Sequence, residues 1–167
     1  MNLPPQADDL SPRRLRDAFG CFATGVTVIT TFDREGRPLG LTANSFTSVS
    51  LDPPLVLFCV DEGSRRAPAF KAAGRFAVNV LHAGQEALSI RFARSAADGF
   101  SDLGWEVLDE TPVLSDAMAT FVCTGHAAYA GGDHAVILGR VERLRFDQEP
   151  DPLVYFQGRY RSVHVPD

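Results

Sequence analysis

Short strand-like stretches separated by turn signals cover most of this sequence. Thr27–Phe32 is rich in β-branched residues, Leu55–Val60 is apolar at every position, and the last third holds two long candidates, Ala117–Ala130 and Ala135–Phe146. Pairs of glycines or prolines separate several of these stretches, and such pairs mark reversals of the chain. Strands at this spacing, outnumbering helices, predict a mainly β fold, a barrel or closed meander with a few helices packed outside it.

The apolar run Leu55–Val60 marks the start of the predicted core. Pro53 and Pro54 interrupt the strand pattern directly before it. An unbroken apolar run of this length is typical of a strand that is buried on both faces. We therefore expect both faces of this strand to be buried.

Helical patterns are fewer. Ser11 and Pro12 suit an N-cap and a first helical residue, and the apolar spacing that follows predicts an amphipathic helix ending near Gly25. A short helix is predicted over Ala67–Ala73 and a second amphipathic helix over Gln85–Ala93.

Composition and charge limit the class of protein. The chain has 167 residues, 45% hydrophobic and 22% charged, which predicts one globular domain. We assign it to residues 11–167, with residues 1–10 as a flexible N-terminal segment and residues 95–111 as a loop anchored by Trp105. A net charge of −5 leaves no basic face for the phosphates of a polymer, which argues against nucleic acid as a partner.

The cysteines and the apolar runs bear on location. Cys21, Cys59 and Cys123 are odd in number and lack CxxC spacing, so neither a disulfide framework nor a metal site is expected. No apolar run approaches the roughly 18 residues of a membrane span, and the N-terminal residues lack the features of a secretory signal. These patterns predict a cytoplasmic protein without a membrane partner.

Several catalytic and nucleotide-binding motifs are absent from the sequence. It contains no G-x-G-x-x-G or G-x-x-x-x-G-K-[ST] motif for phosphates, no G-x-S-x-G nucleophile elbow and no H-E-x-x-H metal motif. The four histidines do not cluster with acids or cysteines at ligand spacing. This pattern favours either a binding protein or an enzyme whose cofactor supplies the chemistry.

Five segments in one order resemble the flavin reductase-like family, the small reductase components of two-component flavin monooxygenases. They are FGCFATGVTVITT, GLTANSFTSVSLDPPLVLFCV, GRFAVNVL, GGDHAVILGRV and PLVYFQGRY, and the likeness runs from about Leu15 to Tyr160. The resemblance implies a homodimeric FMN-binding split β-barrel that uses FMN or FAD and takes reducing equivalents from NADH or NADPH. It also implies that reduced flavin passes to a partner monooxygenase.

The resemblance, together with polar groups at strand and helix ends, points to a flavin site. The residues assigned to it are Leu41, Thr42, Ala43, Asn44, Ser45, Ser50, Cys59, Val60, Asp61, Ser64, Arg65, Arg66, Arg91 and Phe92. Ser64, Arg65 and Arg66 are expected to bind the flavin phosphate, because guanidinium and hydroxyl donors converge at a helix start. Ser50 could equally belong to a rigid turn and Phe92 to the core. Cys59 is expected near the flavin but without thiol chemistry.

Three residues are assigned to the nicotinamide: Asn44, His134 and Tyr160. His134 is the one catalytic candidate, expected to orient the nicotinamide ring or to bind its carboxamide. Without the family, a lone histidine in a hairpin would be an exposed or capping residue. Asp133 is expected to shape the turn, and Tyr160 could instead cover the mouth of the barrel.

The predicted function is therefore an NAD(P)H:flavin oxidoreductase. Two alternatives remain open from sequence: a flavin- or haem-binding module without turnover, and a reductase of a bound non-flavin acceptor such as a corrinoid. Consumption of NADH in the presence of added FMN separates the first alternative from the enzyme. A comparison of rates with free flavin and with the other acceptor separates the second.

Overall fold

A computed structural model describes residues 10–94 and 99–163. The predicted flexible segment, apart from Leu10, and the first four residues of the predicted loop lie outside this range. The helices are α1 (Pro12–Phe19), α2 (Ala67–Ala72) and α3 (Glu86–Arg94), with a 3-10 turn at Ala83–Gln85. The strands are β1 (Thr24–Gly25), β2 (Thr27–Phe32), β3 (Pro38–Ala43), β4 (Thr47–Leu51), β5 (Pro54–Asp61), β6 (Arg75–Val80), β7 (Trp105–Leu108), β8 (Thr111–Leu114), β9 (Ala119–Gly131), β10 (His134–Phe146), β11 (Val154–Phe156) and β12 (Arg159–Arg161).

One antiparallel sheet of seven strands carries the fold, in the order β3-β2-β6-β9-β10-β5-β4. Its two edge strands, β3 and β4, are consecutive in the chain and are joined only by residues 44–46. A connection this short requires the two edges to approach each other, so the sheet must curl towards a barrel. The mainly β fold predicted from sequence is confirmed, and the curled sheet is consistent with a split barrel.

Aromatic side chains fill the interior of the sheet. Phe58 on β5 meets Phe70 of α2 and Phe76 of β6 edge to face, with ring centroids 5.9 and 5.2 Å apart. A second cluster, which includes Phe92 of α3 and Leu81, packs α3 against another part of the sheet. The two clusters hold α2 and α3 in place on either side of the predicted flavin residues.

The strand β5 is buried less completely than its sequence predicts. Val56, Phe58 and Val60 are buried, whereas Leu55, Leu57 and Cys59 between them are half-buried. Burial on both faces was therefore the wrong interpretation of the apolar run. The second face of β5 carries the half-buried Cys59, which opens onto the cavity described below.

Two further predictions are corrected. Helix α1 ends at Phe19 rather than near Gly25, because Thr24 already pairs with Tyr155 in a small sheet of β1, β11 and β12. The predicted loop 95–111 contains β7 and the turn of the β7–β8 hairpin, whose second strand begins at Thr111 and continues to Leu114. Its turn residues, Asp109 and Glu110, adopt positive φ angles of 45° and 58° without a glycine, so the usual signal for a tight hairpin is missing from the sequence.

Candidate functional site

A cavity of about 570 Å³ opens beside α3, where β3 and β5 end and β10 begins. We call it the main cavity. Its lining includes most of the residues predicted for the flavin: Leu41, Thr42, Ala43, Asn44, Ser45, Cys59, Val60, Asp61, Ser64, Arg66 and Phe92. His134, predicted for the nicotinamide, also lines it. The volume lies within the range of small-molecule and cofactor sites, about 300–1,000 Å³.

The polar stretch at the end of β3 is held by its own hydroxyl groups. Thr42 Oγ1 donates to the backbone oxygen of Ser89 on α3 over 2.6 Å. Ser45 Oγ accepts the backbone N–H of Cys59 over 2.9 Å and so ties the β3–β4 connection to β5. These two hydroxyls position the backbone. Asn44 between them is exposed, and its side-chain amide is the polar group of this stretch that is presented to the cavity.

The turn that leads into α2 supplies the cationic part of the cavity. The carboxylate of Asp61 accepts a hydrogen bond from the backbone N–H of Gly63 over 2.8 Å. This bond closes the turn, so the carboxylate has a structural role. Ser64 Oγ accepts the backbone N–H of Arg66 over 3.2 Å. Arg66 Nη1 donates to the backbone oxygen of Phe92 over 2.5 Å, near the C-terminal end of α3.

Arg66 is therefore both tethered and partly removed from water. Burial lowers the pKa of its guanidinium from the ordinary value, but an arginine stays charged at any physiological pH. One bond to Phe92 leaves several N–H donors for an anion. A half-buried, fixed guanidinium beside a serine hydroxyl suits a phosphate.

Phe92 belongs to the core through its side chain. Its ring is fully buried and meets Phe100 edge to face at 5.1 Å. It also packs directly on β3, since a Cβ atom on Gly40 would lie 2.5 Å from the ring. The core-packing alternative thus fits its side chain, while its carbonyl group anchors Arg66.

Four predicted site residues do not line the main cavity. Arg65 is exposed outside it, and Ser50 lies on β4, where it pairs with Leu55 of β5. The guanidinium of Arg91 donates to the hydroxyl and the backbone oxygen of Ser101. Sequence spacing alone could not separate Arg65 from Arg66, because adjacent residues in a turn point in different directions.

Tyr160 also lies outside the main cavity, but it is connected to it. Its hydroxyl lies 2.8 Å from Ser89 Oγ, and its ring meets that of Tyr155 at 5.3 Å. Since the backbone oxygen of Ser89 accepts from Thr42, the fully buried Ser89 links Tyr160 to the polar stretch of β3. Sequence reasoning missed Ser89, because a serine within a helix gives no signal of such a role.

His134 begins β10 directly after a two-residue turn, in which Gly132 has a φ of 76°. Its Nδ1 lies 2.7 Å from Asp133 Oδ1, with 45% of the His134 side chain and 93% of the Asp133 side chain exposed. The hydrogen bond from His134, followed by the charge of its ring, lowers the pKa of Asp133. An ionised carboxylate can only accept hydrogen bonds, so Nδ1 of His134 carries the proton in this bond. In a neutral ring, Nε2 is then left as a hydrogen-bond acceptor.

Asp133 therefore has a second role that its sequence position did not indicate. Its backbone oxygen accepts the N–H of Glu62, as expected for a residue that shapes the turn. Its carboxylate also fixes the tautomer and the orientation of His134. The adjacent Asp-His pair was the available signal.

The described residues form neither a metal cluster nor a helix that could span a membrane. In residues 10–94 and 99–163 no group of three or more His, Cys, Asp and Glu side chains could hold a metal ion. Within the same ranges no helix is long and apolar enough to cross a membrane.

The sequence matches the family model of the flavin reductase like domain over residues 19–164. It is 48% identical to the FMN reductase (NADH) SmoA of Agrobacterium fabrum, over 89% of this chain and 84% of that protein. It is 47% identical to the stachydrine N-demethylase reductase subunit Stc3 of Rhizobium meliloti, over 96% of this chain and 70% of the relative. Another relative, 51% identical over 136 residues, is longer, and this chain spans 44% of its length.

Solved structures give the same result. The NADH:FAD oxidoreductase SgcE6 of Streptomyces globisporus, in complex with NAD and FAD fragments, is 40% identical. It superposes with a TM-score of 0.88, and the match covers 97% of this chain and 98% of that one. Because the family match covers most of the chain and relatives close to half identical match it over most of both lengths, the chain belongs to the flavin reductase like domain family.

Proposed function

We propose that this chain is an NAD(P)H:flavin oxidoreductase that binds FMN or FAD in the main cavity. The observation that carries the proposal is the combination of groups in its lining. Ser64 and the tethered Arg66 suit a phosphate, while Leu41–Ser45 offers a neutral, hydrogen-bonding wall. In a chain of net charge −5, a half-buried guanidinium directed at a cavity is an unusual feature that a phosphate-bearing ligand explains.

The residues of the cavity would bind and align two rings. A bound flavin would supply the hydride acceptor: it would take two electrons and one proton from the nicotinamide as a hydride, and a second proton would come from solvent. Arg66 and Ser64 would hold the phosphate, and the backbone of the β3–β4 connection, fixed by Ser45, would offer hydrogen bonds to the ring system. Val60 and Val136 exclude water from the cavity wall.

His134 is assigned to the nicotinamide. With Nδ1–H given to Asp133, its Nε2 can accept a hydrogen bond from the carboxamide N–H₂. The exposed amide of Asn44 can serve the same group. Neither residue has to transfer a proton, which agrees with the absence of an acid–base pair in the motifs.

The physiological partner is proposed to be a separate flavin-dependent monooxygenase. The name of one relative, a reductase subunit of a stachydrine N-demethylase, supports this assignment. Three free cysteines suit the reducing cytoplasm, which is the proposed location.

A homodimer is also proposed. Exposed apolar side chains lie on β4 (Leu51) and on the part of β10 beyond Arg140 (Leu144, Phe146), at the same end of the sheet. Such a patch is typical of a protein interface.

The test is an assay matrix of FMN, FAD and riboflavin against NADH and NADPH, with nucleotide oxidation followed by absorbance. We expect flavin-dependent oxidation well above the rate without protein. Binding of flavin without oxidation of either nucleotide would favour the non-catalytic module. A corrinoid reduced much faster than any free flavin would favour the other alternative.

A further inference from the structure

The neutral wall of the main cavity lies at an edge of the seven-stranded sheet. Strand β3, which supplies Leu41–Ala43, pairs with β2 alone among the described strands. Its outer side is therefore not held by a strand, and an edge strand leaves backbone N–H and C=O groups without ladder partners. Instead, the hydroxyl of Thr42 donates to the backbone oxygen of Ser89 on α3. The position of this wall thus depends on the position of α3.

Ser89 is in turn held by a residue of a different sheet. It is fully buried, and its Oγ lies 2.8 Å from the hydroxyl oxygen of Tyr160 on β12, where either group can donate. A buried hydroxyl group requires such a partner. Strand β12 belongs to the three-stranded sheet of β1, β11 and β12. Two hydrogen bonds therefore connect that small sheet, through α3, to the edge strand β3. We call this connection the Tyr160–Ser89–Thr42 chain.

The contacts of Tyr160 are contacts within the protein. Its ring packs against the core cluster that contains Phe92, and it meets the ring of Tyr155 edge to face. Its hydroxyl group is occupied by Ser89, and its side chain does not line the main cavity. The resemblance implied a contact with the nicotinamide, whereas these contacts connect Tyr160 to the wall of the flavin site.

We infer that Tyr160 and Ser89 are positioning residues for the flavin ring. They hold α3 at the distance from β3 at which Thr42 keeps the end of that strand in place against the ring system. Tyr160 thus acts on the flavin through Ser89 and does not contact the nicotinamide. The inference rests on the proposed function, since it requires a flavin in the main cavity.

The phosphate end of the site is held separately. The ring of Phe92 lies against Gly40 and meets the ring of Phe100 at 5.1 Å. This packing fixes the end of α3 whose carbonyl group anchors Arg66, without the bond between Ser89 and Tyr160. Loss of that bond should therefore affect the binding of the flavin ring and spare the binding of the phosphate.

The variant Tyr160→Phe removes one hydroxyl group and keeps the ring. Riboflavin, which has the ring system without the phosphate, and FMN should both bind about three- to tenfold more weakly, the loss expected for one neutral hydrogen bond. The ratio of the two affinities, which reports on Arg66, should stay unchanged. The matched control is Tyr155→Phe, which removes the hydroxyl of the adjacent ring, a group without a hydrogen-bond partner among the described residues. It should leave both flavin affinities unaltered.

The other end of the chain is tested at Thr42. Thr42→Val keeps the shape of the side chain but removes the donor, so riboflavin should bind about three- to tenfold more weakly. Thr42→Ser keeps the hydroxyl and should restore the affinity. Because the two hydrogen bonds act in series, the double variant Tyr160→Phe/Thr42→Val should bind riboflavin no more weakly than the weaker of the single variants.

Different results overturn different claims. A lower melting temperature of Tyr160→Phe with unchanged riboflavin affinity would make the bond to Ser89 purely structural and would overturn the inference. Unchanged flavin affinity with a raised KM for NADH or NADPH would place Tyr160 at the nicotinamide and would also overturn it. Additive losses in the double variant would show that Tyr160 does not act through Thr42. If the unaltered protein binds neither riboflavin nor FMN, the proposed function itself fails.

Discussion

Replacing His134 with alanine should separate flavin binding from hydride transfer. The side chain is 45% exposed and its hydrogen-bond partner, Asp133, is 93% exposed, so the pair contributes little to folding. The melting temperature should therefore change by no more than about 2 °C. If His134 aligns the nicotinamide, its loss allows a displacement of about 1 Å, which can lower the rate on the order of a hundredfold. We expect the rate of hydride transfer in His134→Ala to decrease roughly ten- to a hundredfold.

Asp133→Asn provides a graded comparison. The asparagine retains the turn but can no longer fix the tautomer of His134 through a carboxylate. Because both side chains are exposed to solvent, the rate of hydride transfer in Asp133→Asn should decrease less than about fivefold. A larger loss in Asp133→Asn than in His134→Ala would contradict the assignment of the two roles.

The assay is anaerobic rapid mixing of the flavin-loaded protein with NADH, followed at the flavin absorbance. This measurement isolates hydride transfer from product release. Flavin affinity, measured by fluorescence titration, should stay within about threefold, since the nicotinamide contacts of His134 are absent when flavin binds alone. An unchanged rate with an unchanged dependence on NADH would make His134 an ordinary hairpin residue. A collapse of flavin binding in a folded variant would move His134 to the flavin site.

Three further predictions follow from particular contacts. Arg66→Ala should weaken FMN binding at least about tenfold and leave riboflavin binding unchanged, whereas Arg65→Ala should change FMN binding less than about twofold; titration of both ligands against both variants distinguishes the two residues. FMN should protect Cys59, which lines the main cavity, from alkylation, while the exposed Cys21 reacts equally with and without FMN in peptide mass mapping. Asn79 is fully buried, and its side chain forms hydrogen bonds with Val28 O, Thr30 Oγ1 and Leu114 N over 2.9–3.0 Å. Asn79→Ala should therefore lower the free energy of unfolding, measured by urea titration, by about 3 kcal/mol. A loss below about 1 kcal/mol would refute this reasoning.

The strands were predictable from sequence where local signals agree. The hairpin between β9 and β10 is an example, because Gly132, with a φ of 76°, supplies the conformational freedom that the two-residue turn requires. The β7–β8 hairpin was not predictable, since Asp109 and Glu110 adopt positive φ angles that only the surrounding contacts enforce. The short strand β12 is likewise fixed by its pairing with β11 rather than by its own three residues.

The sequence predicted which residues lie near the site, but it did not predict the directions in which their side chains point. The family motifs identified Arg65 and Arg66 together, and only the bond from Arg66 to Phe92 shows which of them lines the cavity. Asp133 was assigned to the turn alone, because its bond to His134 depends on side-chain rotamers. A second cavity, of about 650 Å³, is lined by segments more than a hundred residues apart in the chain, from Arg16 to Gly158 and including Asn44, so no local pattern marks it.

One constraint joins the fold to the site. The sheet can curl only if β3 and β4 meet through residues 44–46, and the same connection presents Asn44 to both cavities. The bond from Cys59 N to Ser45 Oγ holds that connection against β5. The hydroxyl of Ser45 therefore determines the position of Asn44, because a looser connection would move the amide away from the border of the two cavities. The polar residues of this stretch thus have two distinct roles: Thr42 and Ser45 fix the backbone, and Asn44 is left for ligands.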